Sequence, residues 1–288
     1  MEVILGKTSG FCPGITNAVE TTKKILEQTK QNIYCLGDLT HNAQVIEKLE
    51  KMGLITIENV EEAKSKVIFR SHGVEKKVYE KAKQLGLEII DLTCPKVLRI
   101  HKLAEEYTNK GYHIVYIGEG KHPEVIGTLS FCENNYSLIE QEDDVEKVIQ
   151  DIINKKYNKI VILEQTTFHL EKYNNIIQKL QKQLPKNVEL VIEETICNAT
   201  HIRQNETTKI SKEVDYMIII GGKKSSNTYK LYEIAKANCT NAILVQTKED
   251  LPIEEIKKYN KIGIMAGAST PKESIEDIIE VLEKEERV

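Results

Sequence analysis

Three stretches of the chain are written to one pattern: "NIYCLGDLTHNAQVIEKL", "HIVYIGEGKHPEVIGTL" and "MIIIGGKKSSNTYKLYEIA". Each is a short apolar run, a glycine, a polar loop and a helix-forming run. A strand period giving way to a helix period, three times over, restricts the chain to repeated β–loop–α units and largely parallel sheets. Aligning Gly37, Gly118 and Gly222 places His41, His122 and Ser226 four residues further on. A second strand follows in each unit, "KVIFRSH", "VILEQT" and "IMAGAS". Aligning Val67, Val161 and Ile264 sets His72, Thr166 and Ser269 at equivalent strand ends. A helix and another strand then lead to the next unit, through "LEIIDLTC" and "VELVIEETIC". The third unit stops after its helix "KESIEDIIEVLEK", so residues 2–6 are expected to supply its missing strand. The expected fold is α/β, with three pseudo-equivalent units in a trefoil-like ring. They cover 13–94, 95–196 and 197–288, the last closed by the N-terminal strand within 1–12. The end "EKEERV" reads as a solvated terminus.

The cysteines follow the repeat. Cys12 precedes Gly37 by 25 residues, Cys94 precedes Gly118 by 24 and Cys197 precedes Gly222 by 25. Cys35, Cys132 and Cys239 lie off this phase and read as buried apolar side chains. Each in-phase thiol comes before a helix-like run, and Pro13 and Pro95 follow two of them directly. Proline is favoured at the first helical position, where its missing N–H costs nothing. A helix N-terminus lowers a thiol's pKa and favours the thiolate, the metal-binding form. Because functional groups collect at the carboxyl ends of parallel strands, a ring of such units would bring three thiols together. Zinc with a fourth ligand fits three thiolates. So does a [4Fe–4S] cluster whose fourth iron keeps an open position for a substrate oxygen. No Cys-x-x-Cys is present, and spacing does not choose between them.

The polar groups of the repeat are His41, His72, His122, Ser225, Ser226, Asn227 and Ser269, all neutral or weakly basic donors. "GGKKSSNT" opens a helix without Walker A spacing. Serines, an asparagine and backbone N–H groups at a helix start make a phosphate cradle, although Ser225 or Ser226 also suits a plain N-cap. Glu124, two residues after His122, suits the helix dipole as a first-turn acid. Beside a metal and an anion its pKa would rise, which suits a proton donor. Thr166 is placed to orient it or a substrate hydroxyl, and is also ordinary at a strand end. No G-x-G-x-x-G follows a strand, so no bound nicotinamide or flavin is expected; electrons for a redox step would come from another protein. Net charge is −4 with a pI near 6.1, which argues against a nucleic-acid or membrane-surface binder. No apolar run reaches membrane length and the N-terminus lacks a signal-peptide pattern, so a cytoplasmic protein with reduced cysteines is expected.

"GFCPG", "THNAQV", "RSHGV", "DLTCPKV", "GEGKHPEVIG", "EQTT", "ICNATHIRQ", "GGKKSSNT" and "AGASTP" stand in the order and spacing of one family. The chain closely resembles the 4-hydroxy-3-methylbut-2-enyl diphosphate reductases, the last enzymes of the methylerythritol phosphate route to isoprenoids, to about residue 283. The resemblance implies three α/β units around a central [4Fe–4S] cluster held by Cys12, Cys94 and Cys197. It implies diphosphate binding by His41, His72, His122, Ser225, Ser226, Asn227 and Ser269. It also implies proton relay by Glu124, with Thr166 beside the substrate alcohol. The implied reaction removes that hydroxyl with two electrons and two protons, giving isopentenyl and dimethylallyl diphosphate. Ferredoxin or flavodoxin is the implied electron donor. Ala43 stands where the family commonly has proline, Ser71 where alanine is common, and His201 where asparagine or glutamine is usual; none is an implied ligand. Two competing readings are a non-catalytic iron–sulfur diphosphate-binding redox sensor and a zinc hydrolase. A pure binder needs neither Glu124 nor Thr166, and three anionic sulfurs make a poorly electrophilic zinc.

Overall fold

The structure, a computed structural model, describes residues 1–29 and 31–286, with side chains described as far as residue 284. The end of the "EKEERV" terminus therefore lies outside the described residues. Among the described residues twelve strands form three parallel four-stranded sheets. The first holds β2 (Ile33–Leu36), β3 (Leu54–Ile57), β4 (Lys66–Phe69) and β5 (Glu88–Asp91). The second holds β6 (His113–Ile117), β7 (Tyr136–Ile139), β8 (Lys159–Glu164) and β9 (Glu189–Ile192). The third holds β10 (Tyr216–Ile220), β11 (Ala242–Val245), β12 (Lys261–Ala266) and β1 (Glu2–Leu5). Their orders are β3-β2-β4-β5, β7-β6-β8-β9 and β11-β10-β12-β1. Each sheet thus has the same order, and β1 takes the slot that β5 and β9 take in theirs. It pairs parallel with β12, Val3 opposite Ile262 and Leu5 opposite Ile264. The N-terminal strand does complete the third repeat.

The helices that serve the argument are α1 (Pro13–Gln28), α2 (Ala43–Lys51), α3 (Lys76–Gln84), α4 (Pro95–Asn109), α5 (Pro123–Leu129), α6 (Asp144–Asn154), α7 (Leu170–Gln183), α8 (Asn198–Ser211), α9 (Ser226–Asn238), α10 (Ile253–Ile256) and α11 (Lys272–Glu286). The chain divides into two compact units. One comprises Met1–Gln28, Asp38–Gly53 and Asn198–Val288, and the other Thr29–Gly37 and Leu54–Cys197.

Sheets covered by helices on both faces need apolar residues along their central strands, which is why β2 (IYCL) and β10 (YMIII) read as unbroken apolar runs. In the third sheet, Tyr216, Ile218, Ile262 and Ile264 pack with Ile275, Ile278 and Leu282 of α11. The alternate residues Met217, Ile219 and Met265 pack with Ile210 of α8 and Leu231 and Ala235 of α9. The second sheet sends Val115, Ile117, Ile160 and Ile162 to α6 and α7. It sends Ile114, Tyr116, Val161 and Leu163 to α4 and α5. Each fully buried side chain of this kind contributes about 1.5–3 kcal/mol, so the packing of faces sets the register.

That register corrects the alignment by one residue at two places. Gly37, Gly118 and Gly221 donate to Ile57, Ile139 and Val245 carbonyls at 2.8, 3.0 and 2.9 Å. Gly221, not Gly222, is therefore the third repeat's glycine. Leu36, Ile117 and Ile220 lie opposite Phe69, Glu164 and Ala266. Val67 and Ile264 thus correspond to Ile162 rather than Val161, and Thr166 corresponds to Ser71 and Ala268. A slip of one turns a side chain to the opposite face, and Val161 does face α4 and α5 rather than α6 and α7.

Candidate active site

Cys12, Cys94 and Cys197 are each the residue before a helix, namely α1, α4 and α8. Their backbones are held alike. The N–H of Cys12 donates to Ala268, that of Cys94 to Ser71 and that of Cys197 to Thr166, each at 3.0 Å. These three acceptors are the structurally equivalent residues just past the strand ends. The carbonyls of Cys12 and Cys94 accept the first helical bonds, from Thr16 at 2.9 Å and Leu98 at 3.0 Å. Among the described residues none of the six cysteines forms a disulfide; the three in phase are partly exposed and the other three are buried. Burial pushes the Cys132 thiol up to about 12. Its Sγ lies 3.7 Å from the Thr128 carbonyl, while that of Cys239 lies 3.3 Å from the Asn241 carbonyl. Cys35, Cys132 and Cys239 are thus buried side chains, of the kind expected from their place off the repeat.

The segment leading into Cys12 is tied down from α8. Glu206 accepts from the N–H groups of Lys7 and Thr8 at 2.8 and 2.9 Å. The buried Arg203 guanidinium donates to the carbonyls of Thr8 and Gly10, at 2.8 and 2.7 Å. Gly10 has φ +95°, a conformation that side chains other than glycine's rarely adopt. Arg203 lies in "ICNATHIRQ" and Glu206 just after it. Neither was singled out in the sequence, because their partners are some two hundred residues away.

Glu124 sits in the first turn of α5 and is only 2% exposed. Its two carboxylate oxygens accept from the backbone N–H and the hydroxyl of Thr166, each at 2.6 Å. The Glu124 N–H donates to Nδ1 of His122 at 3.2 Å, which makes His122 the helix N-cap. An Nδ1 that accepts carries no proton, so the neutral ring holds its proton on Nε2. The His122 and His72 rings meet edge to face, with centroids 5.6 Å apart. Gln165 braces the loop between them and the strands, accepting from the Glu119 N–H at 2.9 Å and donating to Thr167 at 3.0 Å. Thr166 does not occupy the place of His72, as the alignment expected, but it does reach Glu124.

In the other unit, Ser225 is the N-cap of α9 and accepts from the Thr228 N–H at 3.3 Å. Asn42, not His41, caps α2, accepting from the Val45 N–H at 3.2 Å. Ser226 accepts from the ammonium of Lys230, 2.5 Å away and only 4% exposed. Because that bond uses Ser226 as an acceptor, the hydroxyl proton is left to point elsewhere, as a donor. Asn227 is 6% exposed, and the Ser269 hydroxyl donates to the His41 carbonyl at 3.5 Å. A Cβ on Gly222 would lie 2.3 Å from that same carbonyl. The glycine is there for this approach, and not for the strand turn that Gly221 makes. Lys230 is a buried cation that the sequence reading left out; a lysine one turn into a helix carries no local sign of burial.

Three like sheets, each with a thiol ahead of a helix and polar side chains at the carboxyl ends of its strands, define a triplicated α/β protein of the enzyme type, with a buried acid–hydroxyl pair at one strand end. The family model for LytB protein matches residues 3–283, and the chain belongs to that family. A 4-hydroxy-3-methylbut-2-enyl diphosphate reductase of Clostridioides difficile (strain 630) is 40% identical over 285 residues, covering 98% of this chain and 99% of that one. The enzyme of the same name from Aquifex aeolicus (strain VF5) is 35% identical over 282 residues, covering 96% and 94%. Among solved structures, the E-1-hydroxy-2-methyl-but-2-enyl-4-diphosphate reductase of Plasmodium falciparum aligns with a TM-score of 0.90 at 32% identity, covering 98% of this chain and 87% of that one. A structure of (E)-4-hydroxy-3-methyl-but-2-enyl diphosphate reductase aligns at 0.70 with 35% identity, covering 99% and 100%. With relatives of that likeness over nearly its whole length, the chain is an oxidoreductase. No helix among the described residues is long and apolar enough to cross a membrane.

Proposed function

We propose that the protein reduces (E)-4-hydroxy-3-methylbut-2-enyl diphosphate to isopentenyl and dimethylallyl diphosphate. Two electrons and two protons enter, the C–O bond breaks, one C–H bond forms and the hydroxyl leaves as water. The observation that carries the reading is the buried Glu124–Thr166 pair, because a reductive dehydroxylation needs a positioned proton donor and a binding protein does not.

The donor set suits the cofactor. Cys12, Cys94 and Cys197 are the partly exposed thiols, each ahead of a helix, while the other three cysteines are buried. Three thiolates would hold a [4Fe–4S] cluster and leave one iron without a protein ligand. When bound, the cluster supplies electrons singly and a Lewis-acidic iron for the substrate oxygen. The rest falls to the chain. Protonated Glu124 can give its proton to the Thr166 hydroxyl while that hydroxyl passes its own to the leaving oxygen, since a hydroxyl both donates and accepts. His41, His72, His122, Ser225, Ser226, Asn227 and Ser269 would hold the diphosphate, with Ser226 turned to donate by Lys230. A small one-electron protein of the ferredoxin or flavodoxin kind would supply the reducing equivalents.

The test is Glu124→Gln, which keeps the shape and removes the proton. Turnover is expected to fall by about 10²–10⁴ with iron and acid-labile sulfide unchanged. Wild-type turnover in that variant would overturn the reading.

A further inference from the structure

Each of the three in-phase thiols is reached by a short segment whose backbone N–H groups end on a carboxylate. Before Cys94, Asp91 accepts from the Thr93 N–H at 3.0 Å. Before Cys12, Glu206 accepts from the Lys7 and Thr8 N–H groups. Before Cys197 the acid is Glu164, and here the arrangement differs in kind. Glu164 is the last residue of β8 and is 0% exposed. One carboxylate oxygen accepts from the N–H of Thr195 and from that of Ile196, the latter at 2.7 Å. The Thr195 hydroxyl donates to the Glu164 carbonyl at 2.6 Å and accepts from the Glu164 N–H at 2.8 Å. Four hydrogen bonds therefore join one residue of β8 to the two residues ahead of the thiol. Two positions on, Thr166 receives the Cys197 N–H and clasps Glu124. The second oxygen of Glu164 is buried and makes no hydrogen bond among the described residues.

A fully buried carboxylate with one bare oxygen is costly for a fold. An apolar residue would end β8 at less expense, so the bonds to Thr195 and Ile196 are what the acid is there to make. We propose that Glu164 is a positioning residue for Cys197: it sets the thiol at the angle and depth from which it holds its iron. This rests on the reading above that Cys197 is a cluster ligand. Groups that orient a ligand from behind are typically worth about 10–100-fold in metal affinity.

The acid is also sensitive to protons. Burial pushes Glu164 up to about 7, with the neighbouring Glu194 charge adding to the rise and the Thr195 and Ile196 bonds opposing it. Tyr173 of α7 lies on its side of the sheet and Tyr116 of β6 feels its charge from the other; both are themselves raised, by burial first, so neither carries charge near neutrality. An ionised carboxylate is roughly twice as strong an acceptor as a neutral one. The bonds to the approach segment are therefore tighter above neutrality than below it.

The experiment is anaerobic purification of wild type, Glu164→Ala and Glu164→Gln, with iron and sulfide assays and the rate of iron loss to a chelator at pH 6 and pH 8. The alanine variant is expected to lose iron about 10–100-fold faster than wild type, with unchanged far-UV circular dichroism. The glutamine variant keeps an acceptor and should restore most of the retention. If the alanine variant does not fold, the glutamine variant carries the test alone. Its release should match wild type at pH 6, where Glu164 is protonated, and run several-fold faster at pH 8. Wild-type release from the alanine variant, or the same glutamine-to-wild-type ratio at both pH values, overturns the proposal. Wild type free of iron and sulfide would instead overturn the cluster reading beneath it.

Discussion

His101 is a buried imidazole with no hydrogen-bond partner on either ring nitrogen among the described residues, stacked 4.6 Å from the Phe131 ring. It fills the space over two glycines: a Cβ on Gly73 would lie 2.7 Å from its Cε1, and one on Gly127 would lie 3.5 Å from its Nε2. Burial lowers its pKa to about 4, against a smaller opposing pull from Asp91. A depressed pKa means the unfolded chain binds the proton first. The stability it carries is present above about 6.5 and is lost as pH falls from there toward 4. Glu164, raised to about 7, acts with the opposite sign: its contribution is full below about 4.5 and is lost as pH rises through 7. Replacing His101 with phenylalanine should therefore remove about 2 kcal/mol of acid sensitivity between pH 7 and pH 5, read from urea midpoints at the two values. A variant as acid-sensitive as wild type would assign that limb elsewhere. Gly222 gives a second residue-scale expectation. Gly222→Ala must displace the His41 carbonyl, 2.3 Å from the new Cβ. The Michaelis constant for the diphosphate substrate should rise about tenfold, the equivalent of about 1.4 kcal/mol, with thermal unfolding little changed. An unchanged constant would show that the His41 loop has room to move.

Among the elements, β1 carries the sharpest expectation. It is four residues long, yet Val3 packs on one face of the third sheet and Ile4 on the other. It also protects β12, which would otherwise be an exposed edge. Val3 is half-buried, so Val3→Asp sets a charge against the apolar face toward α11 and should cost about 2–3 kcal/mol, seen as a lower midpoint in thermal unfolding. A midpoint equal to wild type would mean that the backbone pairing to β12 suffices by itself. The elements were largely legible in the residues. "EVIL" reads as a strand and a strand was missing, so its place followed from the repeat. The one-residue errors at Gly222 and Val161 came from aligning on residue type. Adjacent apolar residues such as Val161 and Ile162 look alike in a doubly covered strand, and only the packing of each face against different helices separates them.

For the whole molecule, the cysteine pattern makes the measurement to do first. Anaerobically purified protein should hold about four irons and four sulfides per chain, and Cys12→Ser should lose most of both. Zinc without sulfide would overturn the cluster and with it the proposed reduction. The amino-acid sequence by itself determined the triplicated α/β plan, the slot of the N-terminal strand and which three cysteines stand apart. Those features are written in local periodicity and in spacings that repeat. Only the tertiary structure decided what holds them. Glu206 and Arg203 on the Cys12 segment, Glu164 on Thr195 and Ile196, Thr166 on Glu124 and Lys230 against Ser226 are such contacts. Most join residues tens to hundreds of positions apart, and a hydrogen bond between distant residues leaves no period for a sequence to show. Whether a lone acid is a solvated charge or a buried clamp depends on what the fold brings beside it, and that is settled when the sheets and helices pack.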